Sequence, residues 1–162
     1  MDAKFYGNVV FDESVSAVTA TPSVELGSRR VWKGEEYVYC YNAGGAAIST
    51  SLALGVVIVT AATGYSVAAT SLADVHNPCV GVVKHAQIAA GSYGWVMTKG
   101  FATVSLVSNV TADYQALALG VGGKFLEPAD TSVGGTHAVC AYGFNINTGA
   151  AGGAYAFIKT AF

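Results

Sequence analysis

The chain has 162 residues, 52% of them hydrophobic and only 11% charged, with a net charge of −2; that length fits one domain, or one domain with an arm. Eight basic and ten acidic side chains must serve a folded surface of roughly 7,500 Å², so the composition disfavours a free monomer and favours self-association or docking on a large partner. Mild acidity and scattered basic residues argue against nucleic acid as the partner: the one cluster, Arg29-Arg30-Val31-Trp32-Lys33, is answered at once by Glu35 and Glu36.

Residues 1 to 24 differ in texture from the rest. Tyr6 to Phe11 reads as a strand, but Ser14 to Ser23 is a Ser/Thr/Val/Ala tract containing Pro22, which buries little area by itself. The segment is expected to be an extended N-terminal arm, with a first strand of the main sheet as the alternative. Met1-Asp2-Ala3-Lys4 lacks the layout of a signal peptide. Residues 25 to 162 are expected to form the β-rich body.

Trp32-Lys33-Gly34-Glu35 reads as a hairpin turn leading into Tyr37-Val38-Tyr39-Cys40-Tyr41. Alternation there sets three tyrosines on one face and Val38 and Cys40 on the other. Asn42-Ala43-Gly44-Gly45 is a turn signal. One or two strands follow between Ala46 and Thr60, then a connection from Gly64 to Ala73, closed at Asn77-Pro78. No charge occurs between Glu36 and Asp74, yet the apolar run from Gly55 to Ala62 is far shorter than the ~18 residues a membrane span needs. No membrane association is expected.

From Pro78 to Val107 everything reads as strand. Tyr93, Trp95, Met97 and Lys99 point to one side and Gly94, Val96 and Thr98 to the other, until Gly100 interrupts the pattern as a bulge or bend would. Gln115 to Gly123 is the one place where a short helix is plausible. His137 to Phe144 alternates, Asn145 to Gly153 reads as a hairpin loop, and Ala154 to Thr160 closes the sheet. No segment sustains a 3.6-residue apolar period. The expected class is all-β: an antiparallel sandwich or barrel, jelly-roll-like in one version, with an extended N-terminal arm.

Chemistry is hard to find. His76-x-x-Cys79 and His137-x-x-Cys140 share a spacing that suggests zinc, but residues three apart on a strand face opposite sides. Three cysteines, Cys40, Cys79 and Cys140, are an odd number without a disulfide framework and suit a reducing site of synthesis. A Cys79–His85 nucleophile pair has no motif behind it, the carboxylates are isolated, and the glycine-rich stretches lack a phosphate-binding lysine. The expectation is no enzyme activity, no metal and no cofactor. The aromatic residues, nine Tyr, seven Phe and two Trp, are the other functional signal. Tyr6, Phe11, Trp32, Tyr37, Tyr39, Tyr41, Tyr93 and Trp95 are the candidate interface residues, since Tyr and Trp anchor both protein contacts and sugar stacking; a core-facing stripe is the competing explanation for Tyr37, Tyr39 and Tyr41.

Leu26-Gly27-Ser28-Arg29-Arg30, Gly34 to Gly45, Gly81-Val82-Val83, Ile88-Ala89-Ala90-Gly91-Ser92-Tyr93-Gly94-Trp95-Val96, Lys99-Gly100 and Ala102-Thr103-Val104 together resemble small decoration, or cement, proteins of tailed bacteriophages. The resemblance covers about residues 26 to 107 and lies in Gly, Tyr and Trp positions rather than in a diagnostic motif. It implies a β-rich homotrimer on the outer surface of an icosahedral virion, with the major capsid protein as its partner. A glycan-binding or host-attachment module of a phage fibre is the alternative.

Overall fold

The computed structural model describes residues 14–48, 54–60, 65–69, 79–106, 116–126, 139–146 and 153–160. Within them run β1 (Val18–Thr19), β2 (Arg29–Trp32), β3 (Glu35–Asn42), β4 (Leu54–Thr60), β5 (Ser66–Ala69), β6 (Cys79–Val83), β7 (Tyr93–Ser105), β8 (Ala116–Leu119), β9 (Phe125–Leu126), β10 (Val139–Ile146) and β11 (Gly153–Lys159), with one 3-10 turn at Val121–Gly123. The protein is all-β.

Five of these strands form a closed ring. β3 pairs with β7, β7 with β6, β6 with β4 and β4 with β5, all antiparallel, and β5 returns to β3 in parallel. An odd number of strands cannot alternate direction all the way round, so one parallel pair is a geometric necessity. The hairpin of β2 and β3 turns on Lys33 and Gly34, at φ 51° and 81°, the left-handed pair that matches the twist of two antiparallel strands. In β6, the pairs Val56↔Gly81 and Val57↔Cys79 leave Val80 as an extra residue, a bulge that sharpens the bend a narrow barrel needs.

Alternation then sorts two cores. Val38, Cys40, Ile48, Val56, Val67, Val80, Val83, Ile88 and Val96 fill the barrel, mostly β-branched side chains that suit a small, strongly curved sheet. Each contributes about 1.5–3 kcal/mol by leaving water. The barrel's outer face carries Tyr37, Tyr39, Val57, Val82, Trp95 and Met97, which belong to the second core.

That second core is closed by the far half of β7. At Gly100 the backbone takes φ 142°, and a Cβ there would lie 2.8 Å from Glu35 Cγ, so glycine is what lets β7 bend beside β3. Beyond it β7 pairs with β11, β11 with β10, β10 with β8 and β8 with β9. The inward residues Ala102, Val104, Ala154, Ala156, Ile158, Ala141, Leu117, Leu119 and Phe125 complete the cluster.

Two expectations change. Ala116–Leu119 is a strand rather than a helix, with Leu117, Ala118 and Leu119 all buried: four apolar residues flanked by glycine are too few to nucleate a helix, whereas β10 and β9 satisfy both edges. Ser66–Ala69, expected within a connection, is the strand that supplies the parallel pair.

Residues 14 to 24 lie on their own chain. Val15 is buried in the second core, Val18 and Thr19 pair with Gly94 and Tyr93, and Tyr39 Oη sits within 3.0 Å of Thr19 Oγ1 and Ser23 Oγ and accepts the Ser23 N–H at 3.2 Å. The strand expected at Tyr6 to Phe11 lies outside the described residues.

Candidate functional site

The sheet decides the fate of each candidate aromatic. Tyr37, Tyr39 and Trp95 are buried, held on the outer wall of the barrel under the second sheet and residues 14 to 26, so as interface anchors they are corrected to core residues. Their ring contacts run on to Tyr93 and Tyr41: Tyr39–Trp95 at 5.1 Å, Tyr39–Tyr93 at 6.1 Å and Tyr41–Tyr93 at 4.9 Å. Trp32, Tyr41 and Tyr93 are half-buried. Tyr6 and Phe11 lie outside the described residues.

One polar constellation joins the barrel's strands. Glu35 and Tyr37 on β3 meet Lys84 and His85, which follow β6. Lys84 Nζ donates to Glu35 Oε1 at 2.5 Å and to the Phe101 carbonyl at 2.7 Å. Tyr37 donates its hydroxyl proton to Glu35 Oε2, so the 2.7 Å contact between Tyr37 Oη and His85 Nε2 is donated by the ring N–H. Trp32 packs edge-on to His85 with centroids 5.3 Å apart. The chain of donors converges on one carboxylate, tying β2, β3 and the β6–β7 connection together.

Electrostatics follow from that geometry. Burial pushes the Glu35 carboxyl up, but hydrogen bonds from Lys84 and Tyr37, with the Lys84 and His85 charges, outweigh it and hold Glu35 below its ordinary 4.5. Burial, then the Lys84 charge, holds His85 below its ordinary 6.5. Burial and the Glu35 carboxylate push the Tyr37 hydroxyl up, and burial alone pushes the Cys40 thiol up, which leaves it an inert core thiol. Both His85 and Glu35 are depressed, so in each case the unfolded chain binds the proton first. Stability is therefore expected to fall as pH drops below about 6.5, and to fall further below about 4.5. Melting temperatures followed from pH 8 to pH 4 test this: His85→Gln should flatten the upper part of the decline and Glu35→Gln the lower. A wild-type curve level across that range would contradict the arrangement.

Among the described residues no group of three His, Cys, Asp or Glu side chains is placed to hold a metal ion; His76 and His137, from the zinc spacing, lie outside them. A shallow cleft of about 180 Å³ opens beside β2, lined by Arg29, Arg30, Val31, Glu36, Tyr37 and Thr98.

Among the described residues, the aromatic side chains most exposed to solvent were not among the candidates. Phe101, Tyr142 and Tyr155 are 40%, 48% and 47% exposed, and Phe157 is half-buried among them. Their register explains the cluster. Phe101 on β7 lies opposite Phe157 on β11, which lies opposite Tyr142 on β10. Tyr155 stacks on Phe101 at 5.2 Å with rings 5° from parallel, and Phe157 packs on Phe101 at 5.0 Å and 55°. The signal in the sequence was Ala154-Tyr155-Ala156-Phe157-Ile158-Lys159, an alternation of small with aromatic residues. Reading the aromatics as the buried set inverts it: the alanines face inward because Trp95, Met97, Leu117 and Phe125 already fill the space beneath.

No protein-family model, no curated protein and no solved structure matches this chain.

Proposed function

We propose that the chain is a non-enzymatic structural protein of a tailed-phage virion. It binds the outside of an icosahedral capsid, as a homotrimer contacting the major capsid protein, and stabilises the shell by bridging neighbouring capsomers. One observation carries the reading: a chain with 11% charged residues exposes Phe101, Tyr142 and Tyr155 together on one rigid sheet face, a surface whose burial is completed by a partner. The Gly, Tyr and Trp texture of residues 26 to 107 supports the same class. The reading involves no cofactor, nucleic acid or membrane, and places the protein on the virion after synthesis in the host cytoplasm.

The mechanism is linkage. A protein that binds the assembled lattice and not its dissociated subunits stabilises the lattice by mass action, and several weak contacts per oligomer act together once one has formed. Size-exclusion chromatography with light scattering, on the chain alone and mixed with shells lacking it, tests the proposal. A trimer that co-elutes with shells and raises their disruption temperature supports it. A monomer that ignores shells and binds polysaccharide on a glycan array points instead to the fibre-module reading.

A further inference from the structure

We propose that the outward face of β7, β11 and β10 is the surface that seats on the shell, and that its occupant is an apolar groove of the shell protein rimmed by carboxylates; this rests on the capsid reading above. The shape of the aromatic cluster favours a protein groove over a sugar. Phe101 and Tyr155 are parallel at 5.2 Å and Phe157 is tilted against Phe101, so Phe101 is packed between two other rings and the cluster stands up as a ridge rather than lying as a flat platform. A saccharide stacks on an open, flat ring face; a ridge inserts into a cleft.

Size argues against a second copy as the occupant. With each aromatic side chain worth ~150–250 Å², the exposed parts of Phe101, Tyr142 and Tyr155, at 40%, 48% and 47%, total roughly 200–340 Å². A stable pair of proteins buries about 800 Å² on each partner. The ridge is therefore one anchor among several, which suits a lattice that offers the same groove many times. Charge gives the rim. Lys99 and Lys159 stand opposite each other in register at one end of the face. The carboxylate beside them, Glu36, is held by Lys99 at 2.7 Å, and among the described residues Lys159 has no salt bridge. A second copy seated by this same face brings Lys99, Lys159 and the already paired Glu36 to the contact, whereas an acidic groove rim brings carboxylates to Lys159.

Co-sedimentation with shells of the same virus, prepared without this chain, tests the assignment. The variants are Tyr142→Ser/Tyr155→Ser, which removes two exposed rings, Lys159→Glu, and Val31→Ser on β2 as a control at a residue 71% exposed. All should stay folded and keep the wild-type oligomeric state, with the double variant alone melting about 2–4 °C lower for its lost Tyr155–Phe101 stack. The expected result is a loss of shell affinity of roughly 30-fold or more for the double variant, a smaller, salt-dependent loss for Lys159→Glu, and none for Val31→Ser. Wild-type binding with an unaffected double variant would overturn the ridge as the docking face while leaving the capsid reading intact. A double variant whose own oligomer falls apart would make a second copy the occupant, and one that loses polysaccharide binding would make it a glycan; either overturns the proposal. Failure of the wild type to bind shells would remove the capsid reading and this surface with it.

Discussion

Gly81→Ala is expected to stop the barrel from closing. A Cβ at position 81 would lie 2.1 Å from the Met97 carbonyl oxygen, 2.9 Å from the Met97 carbonyl carbon and 3.0 Å from Val96 Cγ1. The first two belong to backbone, which cannot rotate out of the way as a side chain would. Relief requires β6 and β7 to separate, and the Val82↔Met97 pair beside the clash is the link that completes the ring. Overpacking of this kind costs about 3 kcal/mol or more, a large part of the ~5–15 kcal/mol that holds a typical domain folded. Urea denaturation followed by circular dichroism reads the loss directly. Gly45→Ala is the control: nothing lies within 4 Å of the added atom, and the substitution should stay within about 0.5 kcal/mol of wild type. Equal midpoints for the two variants would show that β6 and β7 do not meet as described.

Phe125→Ala should cost nearly as much for the opposite reason. Phe125 is fully buried, it pairs across to Leu119 and bridges to Leu106, and its ring tip comes within 3.2 Å of where a Cβ on Gly55 would stand. It wedges the short β9 against the barrel wall. Emptying that space removes about 3–5 kcal/mol. Phe101→Ala makes the contrast, because the same side chain on the solvent face should cost about 1 kcal/mol through its lost ring contacts. Equilibrium unfolding of both variants, measured side by side, would overturn the packing if Phe125→Ala proved as stable as Phe101→Ala.

Strand existence was legible wherever alternation was clean. Tyr37 to Tyr41 and Tyr93 to Met97 are strands with the faces the pattern assigned, and the turn at Gly34 and the bend at Gly100 fall where glycine signalled them; Lys99, expected beside Met97, is turned to the outer face instead, because the register shift between Glu36 and Tyr37 leaves Thr98 as an extra residue. What alternation cannot say is which face is inside. In β3 both faces are buried, Val38 and Cys40 in the barrel and Tyr37 and Tyr39 outside it, because a barrel wall packed under a second sheet has no solvent side. The tyrosine stripe was therefore correctly read as one face, and its core alternative was the right one for Tyr37 and Tyr39. The Glu35, Tyr37, Lys84 and His85 constellation joins residues 48 or 49 positions apart, a distance over which no local pattern carries information. The exposed ridge was missed because aromatic residues default to the core in any reading by hydrophobicity. Only the filled space beneath Ala154 and Ala156 reverses that choice.

β7 belongs to both layers without a break in the chain, and this has a mechanical consequence. A pull on the aromatic ridge enters the ring along a continuous backbone, through a strand whose first half pairs with β3 and whose second half pairs with β11, both antiparallel to it. The ring itself has no free edge from which pairs could be peeled one at a time. Load carried along β7 into the ring falls on the β3–β7 pairs, which run from Glu36–Lys99 to Tyr41–Tyr93, and is expected to shear them together rather than one at a time.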